Sequence, residues 1–181
     1  MIPNKQNNPI RFAIWFTALF LVFYYFNILF FGLTTPGGQY NLFLAEYLNY
    51  IKVLRWGLLK CSALVLRCFG FATITNNYEL LVAGHGAIIL VYSCLGLGVI
   101  SFFSAFVLAY PKPRTAKIVF LLSGIFVIEF LNIIRLVILA LFWDKRLGAV
   151  IDHHTIFNIF IYIAISAGLY FWVKTDVALK K

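Results

Sequence analysis

Residues 12–33 read FAIWFTALFLVFYYFNILFFGL, a run of 22 residues without a charged side chain. A helix needs about 20 predominantly apolar residues to cross the hydrocarbon layer of a membrane. The run is too long for the apolar segment of a cleaved secretion signal, and no small-residue cleavage site follows it. The stretch therefore predicts a membrane-anchoring helix that the protein retains.

The composition of the whole chain indicates the same lipid environment. Of the 181 residues, 63% are apolar, 19% are aromatic and only 12% are charged. An ordinary soluble domain is roughly 45–50% apolar and about 25% charged, and the mean hydropathy of this chain is +0.94. These values exclude a soluble globular enzyme, a disordered chain and a disulfide-stapled secreted module.

The formal net charge of +9 bears on the partners of the protein. The positive residues flank apolar stretches and are not interleaved with stacking aromatics, so they favour anionic lipid headgroups over nucleic acid. The three cysteines form no CxxC motif, which argues against a redox motif or a zinc site. We expect Cys61 and Cys68 to be packing residues. The expected partner is thus a lipid bilayer, with no nucleic acid, no metal and no cofactor.

Three further apolar stretches follow the first, at residues 95–110, 118–143 and 155–173. Glu129 and Arg135 interrupt the second of these. The four stretches predict an all-α polytopic membrane protein with a single membrane domain, residues 1–181. Its anchor helix is residues 12–33, and its last three helices are residues 94–173.

The cations of residues 41–70 predict an amphipathic helix. Lys52, Arg55, Lys60 and Arg67 fall within one arc of about 140° when a helix turns by roughly 100° per residue. The rest of the segment is largely apolar. Such a helix lies in the membrane interface or lines a wet cavity. A fifth, tilted span whose cations reach to the headgroups is the alternative.

Residues 71–93 have the pattern of a small antiparallel sheet. The β-prone runs 72–75, 78–82 and 87–92 are separated by the turn sequences Asn76-Asn77 and Gly84-His85-Gly86. Open sheet edges cannot face lipid. We therefore expect a β-hairpin or meander on the extracytoplasmic side, in water or against protein.

Short basic segments orient the chain. Residues 110–117 carry three positive charges and no acidic residue, and the tail from Lys174 is also basic, so both are predicted to be cytoplasmic. Cys94, Arg135 and the loop before His154 then face the extracytoplasmic side. The basic N-terminus is also predicted to be cytoplasmic. The number of membrane crossings agrees with both predictions only if residues 41–70 do not cross the membrane.

Polar residues gather at that extracytoplasmic boundary. Cys94 precedes Gly96 and Gly98 at the mouth of a span, where an inert cysteine in a close-packed glycine face is the alternative to a nucleophile. Arg135 inside a span costs about 2.5–3.5 kcal/mol, so it requires a partner or water. Glu129 lies roughly 9 Å away on another face of the same helix, so the two charges suit partners on other helices.

His153 and His154 precede the last span. They follow Asp152, a suitable helix N-cap, so a polar helix start is the alternative to a catalytic role. Histidine titrates near neutral pH, as general acid–base catalysis requires. A thiol, a guanidinium and an imidazole at one boundary predict a cysteine nucleophile with a histidine base, because a neighbouring cation favours the thiolate.

The order and spacing of these residues resemble the exosortase/archaeosortase family of membrane transpeptidase-like enzymes. The chain reads Cys94-Leu95-Gly96-Leu97, then Asn132-Ile133-Ile134-Arg135, then His154-Thr155-Ile156-Phe157-Asn158. Leu95 stands where the family usually has Ser or Ala, and Asn158 where many members have Gly. The resemblance covers about residues 78–172 and points to a short form of the exosortase F type.

The resemblance implies a cysteine-type peptidase or transpeptidase in the bacterial cytoplasmic membrane, with residues 94–173 as its catalytic core. Its partners would be exported proteins that end in a short motif, one transmembrane helix and a basic tail. The implied catalytic residues are Cys94, Arg135 and His154, the implied catalytic or supporting residues are His153, Asn132 and Glu129, and the residues implied to pack on the substrate helix are Gly96 and Gly98. A non-enzymatic membrane scaffold or a small transporter subunit, in which Cys94 only packs, is the alternative.

Overall fold

The fold was analysed in a computed structural model, which describes residues 9–36, 40–142 and 153–178. The first half contains helices α1 (Pro9–Thr34), α2 (Leu42–Tyr47) and α3 (Tyr50–Cys68) and strands β1 (Thr73–Thr75), β2 (Glu79–Val82) and β3 (Gly86–Ile89). A 3-10 helix, Tyr92–Leu95, then leads to α4 (Leu97–Ala109), α5 (Arg114–Phe142) and α6 (His153–Ala178). The chain is thus mostly helical with one small sheet, as the sequence predicts.

Two helices are long and apolar enough to cross a membrane, judged by length and composition. They are α1, with 26 residues, and α5, with 29, and they correspond to the predicted spans 12–33 and 118–143. Large apolar side chains along α1 are exposed, among them Ile14, Val22 and Leu29. An apolar surface of this kind supports a lipid environment for the protein.

The other two predicted spans are not confirmed at that length. Helix α4 has 13 residues, about 20 Å at 1.5 Å per residue, and the described apolar part of α6 is Ile159–Thr175. The predicted helix 95–110 begins only at Leu97, because the residues before it form the 3-10 helix and Gly96 adopts a left-handed conformation (φ +69°).

The predicted single helix over residues 41–70 is wrong in one respect, since the chain divides it into α2 and α3. The Asn41 side chain caps α2 by accepting a hydrogen bond from the Leu44 N–H at 3.2 Å. The Asn49 side chain caps α3 by accepting one from the Lys52 N–H at 2.9 Å. Asparagine is a favoured N-cap, so each of these residues starts a helix of its own.

Helix α3 is amphipathic, as predicted, but its cations do not all face outward. Lys52, Lys60 and Arg67 are exposed, whereas Arg55 is only 8% exposed. Its two cysteines, expected to be packing residues, are exposed on this helix.

The predicted β-meander is confirmed. The three strands pair antiparallel in the order β1-β2-β3, with Thr73 opposite Val82 in the first pair. The Asn76 side chain closes the first turn by accepting two backbone N–H groups, at 2.7 and 2.8 Å. Gly84 and Gly86 close the second turn with φ of +83° and +121°, a conformation that favours glycine.

One end of the molecule, here called the sheet end, carries the β-sheet and the C-terminal ends of α1 and α5. Phe31 of α1 packs on Tyr92 there, with ring centroids 4.5 Å apart. Helix α3 starts beside α1, where Tyr50 packs on Phe30 at 4.6 Å, and it ends at the sheet, where Arg67 Nε donates to the Thr73 hydroxyl at 2.9 Å. Both ends of α3 therefore lie at the sheet end.

The opposite end, here called the loop end, carries the loop between α4 and α5. The Phe12 ring of α1 packs edge-on against Tyr110, with centroids 6.0 Å apart. The Lys112 ammonium lies 4.2 Å from the centre of the Trp172 ring of α6. The two segments predicted to be cytoplasmic, residues 110–117 and the tail from Lys174, are thus brought to the same end.

Candidate functional site

Cys94 lies at the sheet end, in the 3-10 helix that follows β3. Its backbone N–H donates to the carbonyl of Val91 at 3.0 Å. Its side chain is 7% exposed and belongs to a buried apolar cluster that also contains Leu66 of α3, Leu80 of β2 and Leu136 of α5. The thiol is therefore held against the core of the sheet end.

Arg135 of α5 contacts this thiol directly. Its Nη2 atom lies 3.6 Å from Sγ of Cys94, although the two residues are 41 positions apart in the sequence. The arginine is only 3% exposed. The guanidinium therefore places a positive charge beside the sulfur in a buried site, where charges are poorly screened. Two of the three predicted catalytic side chains are thus in contact.

Asn132 lies one helical turn before Arg135 and links Glu129 to the site. It is 1% exposed, and its Nδ2 donates to Oε2 of Glu129 at 3.3 Å. Its own Oδ1 and the Oε1 of Glu129 are buried with no hydrogen-bond partner among the described residues. Arg135 contacts Cys94 outside its own helix, as its spacing predicts. Glu129 instead pairs with Asn132 of the same helix, which differs from the predicted partner on another helix.

Gly96 allows the backbone that follows Cys94 to approach Asn132 closely. Its left-handed φ of +69° ends the 3-10 helix and begins α4. A Cβ atom built on it would lie 2.6 Å from Nδ2 of Asn132. Backbone conformation and close approach therefore both require glycine at this position.

Gly96, which precedes α4, and Gly98 in its first turn lie near other helices of the protein. Gly96 faces Asn132 of α5, and a Cβ atom on Gly98 would lie 3.7 Å from the Tyr24 ring of α1. Because Asn132 of α5 lies directly against Gly96, a substrate helix cannot pack closely on that glycine. Gly98 is exposed, and its role in packing on a substrate helix stays a prediction.

The third predicted catalytic group is a histidine at the start of α6. That helix begins at His153. The side chains of His153 and His154, and the whole of Asp152, lie outside the part of the chain that the structure describes. Their roles stay predictions.

Tyr92 is a residue beside the site that the sequence did not single out. It lies two positions before Cys94 and packs on Phe31. Burial, and to a smaller degree the neighbouring Tyr24, raises the pKa of Tyr92, so its hydroxyl stays protonated at neutral pH. The chain has ten tyrosines, and Tyr92 belongs to no motif, so nothing in the sequence distinguished it from the others.

Comparison of the chain with protein-family models, curated proteins and solved structures gives no significant match. The chemistry of the site rests on its own groups: a thiol, a guanidinium, an amide and a carboxylate. Among the described residues, no three His, Cys, Asp or Glu side chains are grouped to hold a metal ion. The contact between thiol and guanidinium suits nucleophilic chemistry at sulfur.

Proposed function

We propose that the protein is a membrane-embedded cysteine peptidase or transpeptidase of the exosortase type that cleaves the C-terminal sorting signal of exported proteins. The contact of 3.6 Å between Arg135 Nη2 and Cys94 Sγ carries this proposal. A charged guanidinium inside a membrane helix is costly, and its placement on a thiol supports a functional thiolate. The two residues also belong to separate motifs of the family that the sequence resembles.

In the proposed reaction, the Cys94 thiolate attacks the carbonyl carbon of the scissile peptide bond. A sulfur–carbon bond forms, and the carbonyl electron pair moves onto the oxygen. The carbon–nitrogen bond then breaks, and the leaving amine takes a proton from His154. Water or an acceptor nucleophile gives its proton to the histidine, attacks the thioester and releases the thiolate. Water completes hydrolysis, whereas an acceptor completes transpeptidation.

Arg135 stabilises negative charge in both halves of this reaction. It balances the thiolate before attack and the oxyanion afterwards, a contribution of about 2.7–4 kcal/mol for one donor in other enzymes. Asn132 and Glu129 act behind it as supporting groups. Their acceptor atoms, Oδ1 and Oε1, are buried, so they act on the position of Arg135 and Gly96 and not on the substrate directly.

The arrangement of the helix ends supports an extracytoplasmic site. The basic segments lie at the loop end, and basic loops favour the cytoplasm, so the sheet end with Cys94 faces the other side. An exported protein held by its C-terminal helix presents its cleavage motif on that side. Because both ends of α3 lie at the sheet end, residues 41–70 do not cross the membrane in this proposal, and a cytoplasmic N-terminus agrees with it.

The test is processing of a co-expressed substrate. The substrate is an exported protein from the same genome that ends in a motif, a transmembrane helix and a basic tail, and its shortening is followed by immunoblot. Cys94→Ala is expected to abolish shortening. The exposed cysteines of α3 supply matched controls, since Cys61→Ala and Cys68→Ala are expected to process normally. Normal processing by Cys94→Ala would overturn the proposal.

One observation favours the alternative, a non-enzymatic membrane scaffold or transporter subunit. Cys94 is 7% exposed and shares a buried cluster with leucines of α3, β2 and α5, as a packing cysteine would. In a scaffold, Cys94→Ser and Cys94→Ala would affect only the stability of the protein. The processing assay separates the two functions, because a scaffold leaves substrate length unchanged with either wild type or variant.

A further inference from the structure

A polar cavity lies at the sheet end, apart from Cys94. It has a volume of about 230 Å³ and lies between the last turn of α1, the first turn of α3 and the turn between β1 and β2. Its polar lining includes Thr34, Asn49, Lys52, Arg55, Asn77 and Tyr78. Phe31 lines this cavity and packs on Tyr92 of the 3-10 helix that carries Cys94.

Arg55 makes the cavity a site for an anion. Its side chain is 8% exposed, and its guanidinium lies 4.6 Å from the centre of the Tyr78 ring. Its Nε is buried without a hydrogen-bond partner among the described residues. A buried charge without a counter-ion is costly, so this arginine requires an anionic partner that the described protein groups do not supply.

The rest of the lining adds positive charge. The Lys52 side chain is exposed at the cavity, and Asn49 and Lys52 belong to the N-terminal turn of α3, where the helix dipole is positive. No acidic residue lines the cavity within the described part of the chain. Glu46 lines a neighbouring groove, which shares Asn49, Lys52 and Asn77 with this cavity.

We propose that this cavity binds the phosphate group of a phospholipid headgroup. Arginine binds phosphate through paired N–H donors. The cavity opens where the apolar helix α1 ends, which is the depth at which headgroups lie. Helices α2 and α3, which border the cavity, carry exposed apolar side chains that suit the membrane interface. These are Phe43, Tyr47, Val53 and Trp56. The inference does not depend on the proposed peptidase activity.

The test uses the full-length protein in a neutral detergent and follows its thermal unfolding. Dioctanoyl phosphatidylglycerol is the probe, and dioctanoylglycerol, which lacks the phosphate, is the control. The lipid phosphate is expected to raise the unfolding temperature saturably, and the neutral lipid is not. Arg55→Gln and Lys52→Gln are expected to raise the half-saturating concentration about tenfold or more. Lys60→Gln, an exposed cation on the same helix outside the cavity, is expected to match wild type.

Three results would overturn the proposal. One is no saturable response in the wild type, or an unchanged response in Lys52→Gln, whose exposed position keeps the fold intact even if Arg55→Gln does not fold. Another is an equal response to inorganic phosphate, which would assign the cavity to a free anion. The third is a tighter response to a short glutamate-containing peptide, which would assign it to a polypeptide carboxylate.

Discussion

Gly96 shows how a single residue couples the chain beside Cys94 to α5. Its φ is +69°, and an added Cβ would approach Nδ2 of Asn132 to 2.6 Å. We expect Gly96→Ala to lower the free energy of unfolding by about 1–2 kcal/mol. Alanine is strained in the left-handed conformation, and its Cβ would displace the side-chain amide of Asn132. Thermal unfolding in detergent measures this. Gly98→Ala, whose Cβ would lie 3.7 Å from Tyr24, is the control; an equal loss in both variants would contradict the account.

Arg135 tests whether the shape of the cation matters as well as its charge. Lysine keeps the charge but lacks the planar pair of N–H donors. We expect Arg135→Lys to reduce substrate processing about 100-fold, as the loss of one oxyanion donor does in other enzymes. The exposed Arg114, at the loop end of the same helix, gives the matched control Arg114→Lys. Full activity of Arg135→Lys would show that the guanidinium has no geometric role.

The contact between α4 and α5 depends on Gly124. A Cβ on Gly124 would overlap the ring of Phe103, which is 3% exposed and packs against Phe120 with centroids 5.4 Å apart. We expect Gly124→Ala to destabilise the protein by about 1–3 kcal/mol, the usual cost of overpacking a core. Gly168→Ala on α6 meets no atom within 4 Å and should leave the unfolding temperature nearly unchanged. A reversed order of the two variants would contradict this packing.

The elements that sequence predicts correctly are those whose signals are local. The β-meander follows from Asn76 and the glycines of the second turn, which close the turns with their own side chain or φ. The division at Asn49 was missed, because an asparagine inside a helical pattern looks the same whether or not it caps. The late start of α4 was missed because it depends on Gly96 meeting Asn132 from another helix.

The candidate site also has parts that the sequence predicts and parts that it does not. The residue types and spacing of Cys94 and Arg135 predicted that they meet, since both were placed at one boundary of neighbouring helices. In the sequence, Arg55 is one of four cations on the polar face of α3. Their angular positions do not show whether a side chain on that face lies in solvent or in a cavity, as Arg55 does. Tertiary contacts decide that difference, and they are not encoded in the periodicity of one helix.

The sheet end and the loop end are proposed to lie on opposite sides of the membrane. We test this with single cysteines in a variant whose three native cysteines are alanine. His85→Cys, in an exposed turn of the sheet, is expected to react with a membrane-impermeant thiol reagent in intact cells. Thr115→Cys, exposed at the loop end, should react only after permeabilisation. Labelling of both in intact cells would contradict the two-sided arrangement.

The proposed mechanism requires a covalent bond between Cys94 and the substrate. The most direct measurement is mass spectrometry of the Cys94 peptide from wild-type protein that is co-expressed with its substrate and quenched in acid, where a thioester is stable. The mechanism predicts a substrate fragment attached to Cys94 through a hydroxylamine-sensitive bond, and no such adduct on Cys61 or Cys68. An unmodified Cys94 in a strain that still processes the substrate, or an adduct on another residue, would contradict it.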